Sequence, residues 1–444
     1  MKKILCLLLA VLMLSGCKSE NKYEDYVGGN NSGFYNPIME TESGYYGCVD
    51  SFGLSLCYYD KATKKTVFLC SKPECAHDGN EYCNATRKGL SYCGNICLNG
   101  EYIYFSGQRY DESDGMQKNS LYRAKTDGTE LTEICNFYKL KCEEDSFLGR
   151  SQGNTYRSML MHKKWAVIPF DDASAEGYTL PYCFNTAIIN IETGEYKTLP
   201  EVYFDLKKVE DGVGGFYAYG DWLYYTVTTD FMHENKQLYR YNFVTGQSEK
   251  IEAVGKITSY MVTDNKIYYT TPPTKNTVSK LWTYDLENGT INDLSAELKI
   301  NGTDFTDAEI MCGGDYLILY DSHHTSMSTG FEAHSENLDR LLFMSKDGKA
   351  LREIDMRGIV PTYTAGGIEG EEQEYFSYEL KYCDGVLYAV TMVDLDDPRL
   401  SPDGRYNSLF LSCPVEDIVS GTGKWNEPFD FFALADKISF LWEW

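Results

Sequence analysis

Cys70, Cys75, His77 and Cys83 stand in C-x4-C-x-H-x5-C spacing within LCSKPECAHDGNEYCNA, residues 69–85. Three thiols and one imidazole form a donor set for zinc, whose structural sites are tetrahedral and built from Cys sulfur and His nitrogen. The same cysteines could instead pair as a disulfide, because Pro73 and Gly79 supply turns that let Cys70 or Cys75 reach Cys83. The spacing contains no C-x2-C pair. It leaves open a disulfide, which an oxidising compartment would favour, then a zinc site, then reduced or partly paired thiols.

A second constellation is acidic. Asp50, Asp111, Asp171, Asp230, Asp321 and Asp394 each fall at or just past the end of an apolar-aromatic stretch. Such carboxylates could line a rim that takes a divalent cation, a basic peptide or sugar hydroxyls, although Asp is also a common loop-starting residue. Beside Asp321 lie His323 and His324, with His334 further on. An imidazole oriented by Asp321 could bind metal or move a proton, but adjacent histidines in a long loop are more often solvated. DLDDPRLSPDG, residues 394–404, has the oxygen density for calcium without EF-hand spacing. Zinc and calcium are therefore the two ions that the side chains admit. GRSQG, residues 149–153, matches G-x-S-x-G, but a nucleophile elbow needs a strand-to-helix turn on a parallel sheet, which the surroundings of Ser151 do not offer. The chain has no P-loop, dinucleotide fingerprint or H-E-x-x-H.

The N-terminus decides the compartment. Lys2 and Lys3 precede an apolar run, Ile4–Leu14, that is too short for a bilayer crossing of about 20 residues. This is a secretory signal, expected over residues 1–16. Its end, LSGC (Leu14–Cys17), resembles the lipobox of bacterial lipoproteins. The resemblance implies cleavage before Cys17 and a diacylglycerol on its sulfur, which anchors the chain to the outer face of the cell membrane. Residues 17–33, rich in Gly, Asn and polar side chains, read as a flexible tether. An extracytoplasmic location permits disulfides. Of 15 cysteines, Cys6 leaves with the signal and Cys17 carries lipid, so an odd number remains and one at least is unpaired. Cys48 and Cys57 flank VDSFGLSL, and a hairpin centred on Phe52-Gly53 would place them opposite as a cross-strand disulfide. Cys312 and Cys383 read as small core residues.

Loss of Lys2 and Lys3 moves the formal charge from −25 to −27. That balance argues against nucleic acid and against an anionic membrane surface as partners. A composition that is 43% hydrophobic and 14% aromatic is globular.

The elements that must position these residues recur. A turn followed by an apolar-Tyr strand appears as ESGYYG, LNGEYIYF, MHKKWAVI, YGDWLYYT, TDNKIYYT, CGGDYLIL and CDGVLYAV. Between these lie strand–turn–strand phrases such as LYRAKTDGTELTEI, AIINIETGEYKTL and LWTYDLENGTINDL, with Asp-Gly, Thr-Gly or Asn-Gly turns. Seven copies of each, in alternation, give units of about 57 residues, each expected to be a four-stranded antiparallel blade. The expected fold is all-β, a single seven-bladed β-propeller over residues 34–444, with six or eight blades as alternatives. Ring closure would pair residues near Phe34–Met39 with the terminal ISFLWEW. Tight turns join strands 1–2 and 3–4; long connections join strands 2–3 and successive blades, so all elaboration, the Cys/His segment included, falls on one face.

LYRAKTDGTEL and SPDG resemble TolB-like propeller repeats, and the whole layout resembles uncharacterised propeller lipoproteins of anaerobic Gram-positive bacteria. The resemblance implies fold and location, and no activity. The expected function is a lipid-anchored binding or scaffold module for a surface protein or glycan. The competing expectation is a carbohydrate-active hydrolase or lyase that uses carboxylates on the long-loop face.

Overall fold

A computed structural model of the chain describes residues 38–430 except 51–53, 64, 78–81, 87–89, 112–114, 142–158, 172–183, 200–211, 229–235, 274–277, 306–307, 322–339, 361–362, 367–371, 376–378, 384, 394–406 and 427–428. The signal, Cys17 and the tether lie outside the described residues. Among those described, the strands form seven antiparallel meanders, each built from consecutive strands. Sheet 1 contains β1 (Ile38–Glu40), β2 (Gly44–Asp50), β3 (Leu54–Asp60) and β4 (Lys65–Phe68). Sheet 2 contains β5 (Leu90–Asn99), β6 (Tyr102–Asp111), β7 (Met116–Lys125) and β8 (Thr132–Lys141). Sheet 3 contains β9 (Leu160–His162), β10 (Trp165–Asp171), β11 (Phe184–Asn190) and β12 (Tyr196–Thr198). Sheet 4 contains β13 (Gly212–Tyr219), β14 (Trp222–Thr228), β15 (Lys236–Asn242) and β16 (Ser248–Lys250), and β17 (Lys256–Ile257) also pairs with β15.

Sheet 5 contains β18 (Tyr260–Thr263), β19 (Lys266–Thr271), β20 (Lys280–Asp285) and β21 (Ile291–Asp293). A ribbon of β22 (Lys299–Ile300) and β23 (Thr303–Asp304) leads to sheet 6. That sheet contains β24 (Ala308–Gly313), β25 (Tyr316–Asp321), β26 (Arg340–Ser345) and β27 (Ala350–Asp355). A second ribbon, β28 (Tyr363–Gly366) and β29 (Glu372–Tyr375), precedes sheet 7. Sheet 7 contains β30 (Glu379–Cys383), β31 (Val386–Val393), β32 (Asn407–Pro414) and β33 (Phe429–Asp430), with helix α1 (Val415–Ser420) inserted before β33. Each sheet coincides with one repeat unit of the sequence. The first strands β1, β5, β9, β13, β18, β24 and β30 neighbour one another in that order. They therefore lie innermost and the fourth strands outermost. The fold is a β-propeller of four-stranded antiparallel blades.

The apolar-Tyr motif becomes the second strand of each sheet, and its composition follows from burial on both faces. In β10, Ala166 and Ile168 pack toward sheet 2 while Val167 packs toward sheet 4. In β14, Leu223 and Tyr225 face sheet 3 and Tyr224 faces sheet 5. In β25, Leu317 and Leu319 face sheet 5 and Ile318 faces sheet 7. The side-chain period of two is intact, but neither face is free for polar residues. Cys312 packs at the edge of the sheet 5–6 cluster, only half-buried, with Sγ 3.8 Å from the Gly314 carbonyl.

Tight turns join first to second strands. Asp264 and Asn265, with φ of 50° and 57°, make the two-residue link from β18 to β19. Both positive values are those of a type I′ turn, which Asn and Asp tolerate. Two expectations need correction. The β2–β3 and β6–β7 connections, residues 51–53 and 112–115, are short, because residues expected in a loop extend the strands; β6 and β7 each run 10 residues. The Cys48–Cys57 disulfide is also absent: Cys48 pairs with Leu56 and Cys57 with Gly47, and Cys57 is a buried free thiol. The pairing is centred one half-residue before the expected point, so the partner of each residue shifts by one and residues 48 and 57 do not stand opposite each other. Strand β1 pairs with β2, while ISFLWEW lies outside the described residues, as does its expected pairing.

Two-sided burial predicts an asymmetry between strands. Leu319→Ala, at a position with no exposure, should cost about 2–5 kcal/mol in urea denaturation. Leu351→Ala, on the outermost strand of the same sheet and 38% exposed, should change stability by less than about 0.5 kcal/mol.

Candidate metal centre

The Cys/His segment joins the outermost strand of sheet 1, β4, to the innermost strand of sheet 2, β5. Its course is fixed from both ends by backbone hydrogen bonds to β3: Leu69 N–H donates to the Leu56 carbonyl at 2.8 Å, and Leu56 N–H donates to the Ala85 carbonyl at 2.8 Å. Between these ties the chain turns at Pro73-Glu74, where Cys75 N–H reaches the Lys72 carbonyl at 3.2 Å. It passes His77 in the left-handed region, φ 53°. Lys72 Nζ also donates to the Tyr82 carbonyl, drawing the two limbs together.

This path brings one donor atom from each of Cys70, Cys75, His77 and Cys83 within 4.8 Å of the other three. His77 Nδ1 lies 3.5 Å from Cys83 Sγ, and the imidazole packs on the Phe68 ring at a centroid distance of 5.0 Å. Cys83 is buried, the other three are half-buried, and all three cysteines are free thiols. The disulfide considered from sequence is not formed in this arrangement, and all four residues of the set are brought together.

Each sulfur receives backbone N–H groups. Thr86 N–H points at Cys83 Sγ at 3.2 Å. Lys72 and Asn84 N–H groups serve Cys70, and His77 N–H serves Cys75. Burial works to raise the Cys70 thiol, but these amides and the neighbouring Cys75 and Cys83 thiols hold it below its ordinary value. Cys75 is pushed up to about 11, by burial first and also by Cys83, against the His77 amide.

The centre is not on the long-loop face, where its place in the repeat suggested it would be. Asn84 Nδ2 donates to the Gly128 carbonyl at 2.8 Å, and Gly128 belongs to the tight β7–β8 turn. The segment leaves the long-loop edge but folds back along the perimeter, between the outer strand of sheet 1 and the outer hairpin of sheet 2. Gly128 has φ 79°, and a Cβ there would meet Leu69 C and Cys70 N at 2.5 and 2.7 Å. The sequence marked Asp127-Gly128 as a hairpin turn; nothing in it marked the glycine as the surface on which the Cys/His segment lies. Thr86 and Asn84 were likewise unread, since backbone N–H donors and a carbonyl partner leave no trace in residue type.

The backbones of Asp50, Asp111, Asp171 and Asp321 end the second strands of sheets 1, 2, 3 and 6, at the edge expected from sequence. Asp230, His323, His324 and Asp394 lie outside the described residues, as do all of residues 394–404 and 149–153.

No protein-family model and no curated protein matches the sequence. Among solved structures, the chain is similar to a protein from a study of two prolyl endopeptidases, at 10% identity and TM-score 0.43, over 89% of this chain and 56% of that one. It is similar to the β-propeller domain of the Trilobed protease from Pyrococcus furiosus, at 10% identity and TM-score 0.41, over 85% of this chain and 94% of that one. A third is the acylaminoacyl peptidase of Pyrococcus horikoshii, at 11% identity and TM-score 0.43, over 94% of this chain and 55% of that one. The chain thus spans just over half the length of two of these proteins.

The fit of Gly128 against Leu69–Cys70 predicts that Gly128→Ala destabilises the protein by about 1–3 kcal/mol, through a backbone clash added to left-handed strain. Gly100→Ala, at φ 61° with nothing within 4 Å of its Cβ, should cost only the conformational part, about 1 kcal/mol. Denaturant midpoints of the two variants make the comparison.

Proposed function

We propose that the chain is a lipid-anchored, extracytoplasmic binding or scaffold module that presents a propeller face to protein or glycan ligands at the outer surface of the cell membrane. The observation that carries this reading is topological. In each sheet, the connection from second to third strand and the connection onward to the next sheet leave from the same edge. A rigid disc whose variable chain gathers at one edge suits recognition. The four Asp backbones that end second strands at that edge, in a chain of formal charge −25, favour a cationic peptide or sugar hydroxyls and disfavour nucleic acid.

The anchor is argued from Cys17 and the residues before it. A diacylglycerol with an added amine-linked acyl group supplies more than one chain, at about 0.8 kcal/mol per buried methylene, which is what stable membrane attachment needs. Cys17→Ala in the full chain should therefore release the protein from the membrane fraction, and an unchanged membrane fraction would remove the lipid from the proposal.

Recognition is tested with the full chain in detergent micelles, on a glycan array and against surface proteins of the producing cell. A triple variant, Asp111→Asn, Asp171→Asn and Asp321→Asn, runs beside it. A saturable ligand that the variant binds about tenfold more weakly, a loss of about 1.4 kcal/mol, is the expected result. Release of sugar from an added glycan would replace this reading with the hydrolase or lyase. The absence of any saturable ligand would remove it.

A further inference from the structure

We infer that Cys70, Cys75, His77 and Cys83 bind one zinc ion in a closed structural site that staples the first sheet of the propeller to the second. The inference is independent of the binding role proposed above, since the site lies on the perimeter and not at the long-loop edge.

Zinc sits about 2.3 Å from sulfur and about 2.0 Å from nitrogen, so a tetrahedral ion spaces its ligand atoms about 3.5–3.8 Å apart. His77 Nδ1 and Cys83 Sγ already stand at 3.5 Å, and all four donor atoms lie within 4.8 Å of one another. Closing onto an ion requires shifts of an ångström or so in side chains, with no change of backbone course. Donors this close surround a single ion. Their softness selects zinc over calcium or magnesium, which take oxygen. Four protein ligands leave no position for water or substrate, which makes the site structural and not catalytic.

A second observation points the same way. Every sulfur of the set is met by at least one backbone N–H: Cys70 by Lys72 and Asn84, Cys75 by His77, Cys83 by Thr86. Amide donors aimed at sulfur stabilise thiolate charge, and thiolate is the form that ligates metal. A disulfide would use two of the sulfurs, carry no charge, and leave the third thiol and the imidazole without a role. The zinc reading uses all four donors and the amides as well.

The staple joins defined parts. Cys70 stands two residues past the end of β4, and Asn84, next to Cys83, holds the Gly128 carbonyl of the β7–β8 turn. The ion would therefore lock a segment already hydrogen-bonded to both sheets.

The test uses the full chain, purified in detergent with reductant and equilibrated with zinc alone. Wild type should retain about one zinc per chain after desalting. Cobalt in its place should give the intense visible absorption of a tetrahedral thiolate site. His77→Asn is the informative variant, because Asn tolerates the left-handed backbone of residue 77 and so keeps the segment's course. It should weaken zinc by about 100-fold or more, since loss of a direct ligand exceeds the effect of an outer-shell change. Cys75→Ser should do the same, and Cys312→Ser, outside the set, should leave zinc unchanged. A wild-type chain that holds no zinc would overturn the inference. So would His77→Asn with wild-type affinity, or a disulfide between any two of Cys70, Cys75 and Cys83 in protein isolated without added reductant.

Discussion

The structure depends on one constraint: sheets 2 to 6 are apolar on both faces. A single antiparallel meander can bury one face against a helix or another sheet and leave the other to water. Here Val167 and Ile168, adjacent in one strand, are both without exposure and belong to different clusters. The same holds for Leu317 and Ile318. A sheet of this kind is stable only between two others, so the units stack face to face around an axis through their first strands. Removing one of these sheets would expose an apolar face on each of its two neighbours, which ties the stack together more firmly than any single hydrogen bond could.

From that stacking follows where variation is tolerated. The tight-turn edge is committed to contacts between neighbouring sheets: His162 Nε2 meets the Gly220 carbonyl at 2.8 Å, and Lys163 meets Asp221 at 3.3 Å. Sheets 5 and 6 are joined there by Lys346 and Asp264. Turns held in this way cannot accept insertions without disturbing the sheet beside them. The opposite edge carries the connections that differ in length, from residues 51–53 in sheet 1 to residues 322–339 in sheet 6. Variation in length and contact between sheets are thereby separated to the two edges of the disc, and the Cys/His segment lies on the perimeter between them, tied to the tight β7–β8 turn.

The fold was largely legible because its signals are local. Asn-Gly, Asp-Gly and Thr-Gly turns lie between strands with continuous apolar runs, and these two features locate the hairpins and the doubly buried strands. What could not be read was register to a single residue. Cys48 and Cys57 are symmetric about Phe52-Gly53, but the observed pairing is centred on Phe52, and a half-residue error in a turn reverses every side chain beyond it. The candidate site was legible in its membership and not in its place. The spacing of Cys70, Cys75, His77 and Cys83 marked a set, while its position on the perimeter depends on Asn84 reaching Gly128, a contact across 44 residues. The acidic residues were legible only as ends of strands.

A zinc ion held by the Cys/His segment would join two sheets that already share one apolar cluster. Sheet 2 has ten-residue strands, and Leu90, Ile96, Ile103, Phe105, Tyr122 and Ala124 supply most of the cluster between the pair. Among the described residues, sheet 1 and the residue that follows it contribute Met39, Leu56 and Leu69, with Tyr46 and Tyr58 packed against them. Its first strand has 3 residues and its fourth has 4. An ion bound in the connection between these two sheets would add to that contact, because metal-binding free energy gained only in the folded chain is folding free energy. The Leu56–Ala85 and Asn84–Gly128 hydrogen bonds would carry that restraint inward to β3 and across to sheet 2.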